Sequence, residues 1–357
     1  LLTEGEENML ALVCRHFKKS VVLLNVGNII DMQWVMRYNP GAVAYIWQGG
    51  QEGCRGVLDV LNGTVNPCGK LPDTIACTPA DYPAADHYGA DDRNIYAEDI
   101  YVGYRYFETI PGADKAVNYP FGYGLSYTTF ECALVSAEEK QGVIRVRVNV
   151  TNTGKYPGKE VMQLYAQAPQ GVLGKAKRVL AAFEKTRLLA QGETQLLTLE
   201  APVAQLASYD DLGKIQKSAY VLEKGKYQFY LGTSVRETEQ VFCFTMPEDT
   251  VTEQLTAKLV PTSLAERMLS DGSFEKLPQS EPNDPDYSVI KRVPREESDG
   301  FSPAVRALPG HQIWSQPYKK DAHIFMEVAE GKITLDEFVT QMTDEELAHI
   351  LGGQPNT

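Results

Sequence analysis

The first hundred residues alternate between two hydrophobic patterns. Residues 5–18 carry apolar side chains at helical spacing, which predicts an amphipathic helix. The continuous apolar runs 20–26 and 42–47 predict strands that are buried on both faces, as in a parallel sheet covered by helices. A glycine-rich turn then leads into a predicted helix over 57–61. We therefore expect an open α/β domain over residues 1–130, with a ligand crevice beyond the carboxyl ends of its strands.

A different pattern follows from residue 131 onward. Residues 143–150 alternate strictly between apolar and polar side chains, as a half-buried strand does. Further strands are predicted near 160–165, 181–188, 194–199, 218–222, 227–231 and 240–245. About seven strands with short turns predict an immunoglobulin-like β-sandwich over residues 131–246. The fold class is thus multidomain, α/β followed by all-β.

The last third of the chain loses this periodicity. Prolines interrupt polar sequence over 247–315, which predicts an irregular linker with one short helix at 263–269. Capping boxes at Thr334 and Thr343 predict two short helices within residues 316–357. Because these helices have nothing after them to cover, we expect further protein beyond Thr357.

Composition narrows the range of partners. With 357 residues, 43% hydrophobic and 23% charged, the chain has the make-up of a folded protein of two or more domains. A formal net charge of −13 and the lack of a long basic run argue against nucleic acid. No apolar run reaches the roughly 18 residues of a membrane helix. The six cysteines lack metal-ligand spacing, so we expect no metal and no cofactor, and free thiols favour a cytoplasmic location.

One stretch, residues 96–130, is dense in tyrosine and phenylalanine and contains the adjacent acids Glu98 and Asp99. An apolar surround raises the pKa of a carboxyl group toward that of a general acid, which makes Glu98 a candidate for catalysis. The alternative, which we favour, is that one acid pairs with Arg93 or Arg105 and locks the segment. Neighbouring residues on a strand point to opposite faces, so both acids could not serve one site.

Several motifs occur in an order that resembles one known family. The runs 22–28, 47–52, 59–63, 66–72 (Asn-Pro-Cys-Gly-Lys-Leu-Pro), 96–106 and 120–127 resemble the second domain of glycoside hydrolase family 3 β-glucosidases and the signature that follows it. The runs 150–154, 158–161, 163–165, 183–185 and 225–227 resemble the fibronectin type III-like domain of many members. Residues 333–351 resemble the segment that precedes the catalytic (β/α)8 barrel, as in members with reversed domain order.

The resemblance implies a retaining β-glycosidase, specifically a β-glucosidase that removes terminal β-linked glucose with two carboxylates and no cofactor. Its nucleophile, an aspartate, would lie on a barrel after Thr357, and its acid/base glutamate before Leu1. We therefore assign no catalytic residue within the chain and expect the chain to be inactive alone. It would pack against the barrel and bind a β-glucoside or oligosaccharide, and a homo-oligomer is left open. Glu4, Glu6 and Glu7 fit the first turn of a helix better than the acid/base position.

Trp47 and Gln48 are the predicted substrate-binding residues. They end the second strand at the crevice, and an indole face suits the C–H face of a sugar. The alternative is that both residues only pack the turn. Asp31 and Trp34 have a smaller claim. For the whole chain, the alternative function is a noncatalytic carbohydrate-binding or adhesion module on the same scaffold.

Overall fold

The structure is a computed structural model that describes residues 2–85, 87, 94–257, 260, 264–278, 327, 328 and 330–341. The first elements are α1 (Glu4–His16), β1 (Val21–Leu24), α2 (Gln33–Tyr38), β2 (Ala42–Tyr45) and α3 (Gly53–Leu61). β1 and β2 pair in parallel, with Leu24 opposite Tyr45, as the apolar runs predicted. α1 begins at Thr3, whose side chain and that of Glu6 form a reciprocal capping box.

The small sheet is covered on one face only. Leu10, Leu24, Met32, Trp34 and Ile75 form its buried cluster. On the opposite side of β1, Val21 is 51% exposed and Leu23 is 37% exposed. The prediction of two buried faces is therefore wrong for β1, because no described element covers these two side chains. The apolar run predicted a strand correctly, but a sequence pattern does not show which elements pack against each face of that strand.

The chain then crosses to the sandwich through short elements. These are β3 (Ile75–Ala76), α4 (Tyr104–Phe107) and β4 (Val117–Tyr119), with β3 and β4 paired antiparallel. Residues 97–100, between β3 and α4, form turns rather than a strand. Glu98 and Asp99 are therefore not held on opposite faces of a strand, contrary to the expectation.

Ten strands follow between residues 130 and 254. They are β5 (Phe130–Lys140), β6 (Val143–Asn152), β7 (Val161–Gln167), β8 (Val179–Lys185), β9 (Thr194–Pro202), β10 (Ser208–Asp210), β11 (Ala219–Leu222), β12 (Gly225–Gly232), β13 (Thr238–Met246) and β14 (Thr250–Gln254). They form antiparallel sheets in the orders β5-β6-β9, β13-β12-β7-β8 and β10-β11-β14. Alternate β6 residues, from Ile144 to Val150, are fully buried between the sheets. The predicted sandwich is confirmed.

Several strands were not predicted from sequence. β5 has a register shift near Leu134 and exposes many of its apolar side chains, so its alternation is broken. The predicted linker 247–315 contains β14 and a hairpin of β15 (Glu266–Met268) and β16 (Phe274–Lys276). The short helix predicted at 263–269 is wrong, because residues 266–268 are strand. These strands depend on partners elsewhere in the chain, which local periodicity does not report.

Residues 1–282 form one compact unit, and residues 283–357 form a second. In the second unit, α5 (Leu335–Thr340) begins at the capping box of Thr334 and Glu337, as predicted. The helix predicted after Thr343 lies outside the described residues, and the domain boundaries at 130, 246 and 315 stay predictions. No helix in the described ranges is long and apolar enough to cross a bilayer.

Candidate functional site

The carboxyl ends of the parallel strands β1 and β2 lead into the loops 25–32 and 46–52, and we call the surface beside these two loops the crevice. The loop after β1 and the loop after β2 touch there. A Cβ built on Gly27 would lie 3.2 Å from Nε2 of Gln48. The structure therefore brings Gln48, which is exposed, against the loop that follows the first strand.

Trp47 occupies an unusual backbone conformation at this edge. Its φ is +50°, the left-handed region that bulky residues rarely adopt. Its ring packs on Tyr45 with centroids 5.0 Å apart and planes tilted by 38°, and the side chain stays half-buried. Strained backbone of this kind clusters at ligand sites, where the surrounding structure holds it in place. The binding role of Trp47 stays a prediction.

Two tyrosine hydroxyl groups hold the backbone near the crevice. The Tyr45 hydroxyl accepts a hydrogen bond from the Ile30 backbone N–H at 2.9 Å. The Tyr82 hydroxyl donates to the Thr74 carbonyl at 2.9 Å and accepts from the Ala76 N–H at 3.0 Å. Burial raises the pKa of both tyrosines, so both remain protonated at neutral pH.

Asp73 is a functional candidate that the sequence patterns did not single out. Its carboxylate raises the pKa of both Tyr45 and Tyr82 electrostatically. Partial burial raises the pKa of Asp73 itself, although the residue as a whole is exposed. The available signal was its position, directly after the Gly-Lys-Leu-Pro motif that reaches the crevice.

Asp31 and Trp34 lie at the back of the crevice. Asp31 lines two adjoining cavities of about 210 and 90 Å³. Its Oδ1 accepts from the Gln33 N–H at 2.8 Å. Trp34 is only 4% exposed, and its buried indole N–H has no hydrogen-bond partner. Trp34 therefore belongs to the core, whereas Trp47 is half-buried and Gln48 is exposed.

The adjacent acids Glu98 and Asp99 have different surroundings. Glu98 is 6% exposed, and its Oε2 has no hydrogen-bond partner. Asp99 has a φ of +51° and lies 3.7 Å from Nη1 of Arg267. Arg93 lies outside the described residues, and the ion pair recorded for Asp99 is with Arg267 rather than Arg105. Burial of Glu98 limits contact with a substrate, which favours the locking role over catalysis.

Two tyrosines close to these acids in sequence are packed rather than free at the surface. Tyr104 stacks on Phe121 with ring centroids 4.4 Å apart, and its hydroxyl accepts from the Leu180 N–H at 2.9 Å. Tyr101 is 2% exposed. Within the described ranges, no group of three or more His, Cys, Asp or Glu residues could hold a metal ion.

Comparison with known proteins decides the family. Residues 1–127 match the glycosyl hydrolase family 3 C-terminal domain, and residues 160–235 match a fibronectin type III-like domain. The chain belongs to glycosyl hydrolase family 3. These matches coincide with the α/β elements and with the sandwich.

Relatives within family 3 are named β-glucosidases. The chain is 46% identical to Beta-glucosidase A of Butyrivibrio fibrisolvens, over 99% of this chain and 46% of that protein. It is 44% identical to a Beta-glucosidase of Ruminococcus albus, over 99% of this chain and 36% of that protein. A β-glucosidase structure from Paenibacillus barengoltzii superposes with a TM-score of 0.75 at 42% identity, covering 98% of this chain and 38% of that one. The chain therefore spans less than half the length of these relatives.

Proposed function

We propose that this chain is the noncatalytic part of a retaining β-glucosidase that releases terminal β-linked glucose from oligosaccharides or glucosides. The observation that carries the proposal is the match over 99% of the chain to two proteins named β-glucosidase, at 46% and 44% identity. The half-buried indole of Trp47, in the loop that follows β2, supports it, because an apolar ring face suits a sugar ring.

The catalytic carboxylates of this enzyme lie on polypeptide outside residues 1–357. A retaining glycosidase needs a nucleophile and an acid/base whose carboxyl groups are about 5 Å apart. The relatives are more than twice as long as the aligned segment, which leaves room for a barrel that carries the nucleophile. Glu98 is buried, so it is a poor candidate for either role.

The barrel follows this chain in the reversed domain order. The relatives from Butyrivibrio and Ruminococcus match through the segment after the sandwich. A β-glucosidase J of Neosartorya fischeri matches over only 63% of the chain, which is about the length of the two matched domains. These matched lengths support the proposal, because relatives with the reversed domain order would share the segment after the sandwich.

Within the crevice, Trp47 provides an apolar platform and Gln48 an amide that can hydrogen-bond to sugar hydroxyls. The ligand is a β-glucoside or β-linked oligosaccharide, and the chain packs against the barrel. A cytoplasmic location is part of the proposal, because all six cysteines are unpaired.

The test compares two purified proteins on an aryl β-glucoside, with the matching α-glucoside as a control for linkage. One is the polypeptide that carries every domain of the relatives, and the other is residues 1–357 alone. The longer protein should hydrolyse the β-glucoside and residues 1–357 should not. Absence of turnover in the longer protein would contradict the proposal, and so would turnover by residues 1–357.

A further inference from the structure

Three glycine-bearing motifs that are distant in sequence meet at one place. A Cβ on Gly124 would lie 2.2 Å from the Gly69 carbonyl oxygen. A Cβ on Gly158 would lie 2.7 Å from Nδ2 of Asn66. Such approaches are open only to a residue without a side chain. We call this contact zone the junction, formed by residues 66–72, 120–128 and 154–160.

Residues 66–72, which we call the strip, are held to the β-sandwich at their first residue, Asn66. The amide nitrogen of Asn66 donates to the Pro157 carbonyl at 3.2 Å. Its amide oxygen accepts from the Ser126 hydroxyl at 2.9 Å and from the Tyr127 N–H at 2.8 Å. One side chain therefore ties the strip both to the sandwich and to the segment that leads into it.

The middle of the strip is held by an ion pair. Nζ of Lys70 lies 2.9 Å from Oε1 of Glu160, and the two side chains are only 15% and 12% exposed. Glu160 directly precedes β7 in the sandwich, and its own N–H donates to the Thr186 hydroxyl at 3.0 Å. The carboxylate thus stands on an ordered strand end, and the pair is shielded enough for its geometry to matter.

The strip leads straight into the crevice. The Leu71 N–H donates to the Tyr123 carbonyl at 2.8 Å, and the Leu71 carbonyl accepts from the Gly122 N–H at the same distance. Two residues later comes Asp73, followed by the Thr74 carbonyl that holds the Tyr82 hydroxyl. A shift of the strip at Lys70 would therefore move Asp73 and Tyr82 together.

We propose that Lys70 and Glu160 are positioning residues for the crevice, through which the β-sandwich fixes the wall that carries Asp73 and Tyr82. The inference rests on the proposed function, since the wall is useful only if the crevice binds a sugar. Neither residue touches the substrate. Their effect is transmitted by the strip, so the charge pair and not either charge alone is required.

The experiment uses the polypeptide with all domains and measures kcat and KM on an aryl β-glucoside. Variants Lys70→Met and Glu160→Gln should each raise KM by about fivefold to tenfold, because small displacements of binding groups weaken substrate contacts. The exchanged pair, Lys70→Glu with Glu160→Lys, should recover most of the loss. Arg145→Met is the matched control. It breaks a solvent-exposed ion pair with Glu200, between two strands of the sandwich, and should leave KM unchanged.

The outcomes separate the two proposals. A wild type without turnover contradicts the proposed function, and the inference with it. A wild type with turnover and variants with unchanged KM contradict the inference alone. Failure of the exchanged pair to restore KM would show that Lys70 acts by its own charge, which also contradicts it. If both single variants fail to fold, the pair is a folding contact and the positioning role is wrong.

Discussion

At the scale of single residues, Trp47 is the side chain on which the binding proposal depends. Replacing Trp47 by Ala in the polypeptide with all domains should raise KM about tenfold, because the sugar loses its aromatic platform and about 1.4 kcal/mol of binding corresponds to a factor of ten. Kinetics on an aryl β-glucoside measure this change. Tyr209→Ala removes an aromatic side chain on β10 that is 40% exposed and lies outside the junction, and should have no effect. Equal KM values for the two variants would assign Trp47 to turn packing.

A second residue-scale prediction concerns the ion pair of Lys175 and Glu223. Their atoms lie 2.6 Å apart, and the side chains are only 5% and 4% exposed. Lys175→Met leaves the Glu223 charge without its partner, so it should lower the free energy of unfolding by about 3–5 kcal/mol. Chemical denaturation measures the loss. The exposed pair of Arg145 and Glu200 provides the contrast, and Arg145→Met should cost about 1 kcal/mol or less. A similar cost for both variants would contradict this account.

Local sequence pattern predicted the position of Trp47 and Gln48 directly after β2, because strand ends follow from the end of an apolar run. Their binding role stays a prediction. The partner of Asp99 could not be predicted, because Arg267 comes from the unpredicted hairpin of β15 and β16. Asp73 was missed because an exposed acid after a proline looks like any polar loop residue. Its importance comes from Tyr45 and Tyr82, which only the fold brings near.

At the scale of elements, one carboxylate organises the turn between β10 and β11. Asp210 accepts hydrogen bonds from the backbone N–H groups of four residues, Gly213, Lys214, Ile215 and Gln216. Burial alone would raise the pKa of Asp210, but these four donors outweigh it and the pKa is lowered. The turn is thus held by an ionised group rather than by strand pairing.

This arrangement predicts a pH dependence of stability. Because the folded pKa lies below the unfolded value of about 3.9, the ionised Asp210 stabilises the fold above that pH and loses its effect as the pH falls through the folded pKa. Asp210→Asn should cost about 2 kcal/mol at neutral pH, and this difference should shrink below about pH 4. Denaturation at a series of pH values measures it, with Asp114→Asn at an exposed position as control. A pH-independent difference would contradict the assignment.

Elements were predictable where their own side chains decide their burial. Apolar and polar side chains alternate along β6 because one face of the strand is buried between the two sheets of the sandwich, and the sequence shows this directly. β15 and β16 are three residues long and depend on each other and on the hydrogen bond from the Met268 N–H to the Ala97 carbonyl at 2.7 Å. Their sequence resembles a linker because Ala97, which holds the hairpin, is distant from it in the chain.

At the scale of the whole molecule, the α/β part exposes a broad apolar surface. Met9, Leu12 and Phe17 on α1 are 55%, 58% and 64% exposed. Leu58 on α3 is 60% exposed. Large exposed apolar side chains in such number are typical of an interface or promote association.

Residues 1–357 alone should therefore self-associate, whereas the polypeptide with all domains should be less prone to do so. Sedimentation velocity at several concentrations measures this. Leu12→Glu should reduce association of the shorter chain, whereas Val172→Glu, at a sandwich position that is 59% exposed, should not. A shorter chain that stays monomeric at all concentrations would show that the apolar surface is not an interface.

The central proposal is that this chain is part of a β-glucosidase and that the catalytic carboxylates of the enzyme lie outside residues 1–357. The most direct test traps the covalent glycosyl-enzyme of the polypeptide with all domains, using an activated 2-deoxy-2-fluoro-β-glucoside, and locates the label by peptide mass spectrometry. The account predicts one labelled aspartate on a peptide outside residues 1–357. A label on any carboxylate within residues 1–357, including Glu98 or Asp73, would contradict it.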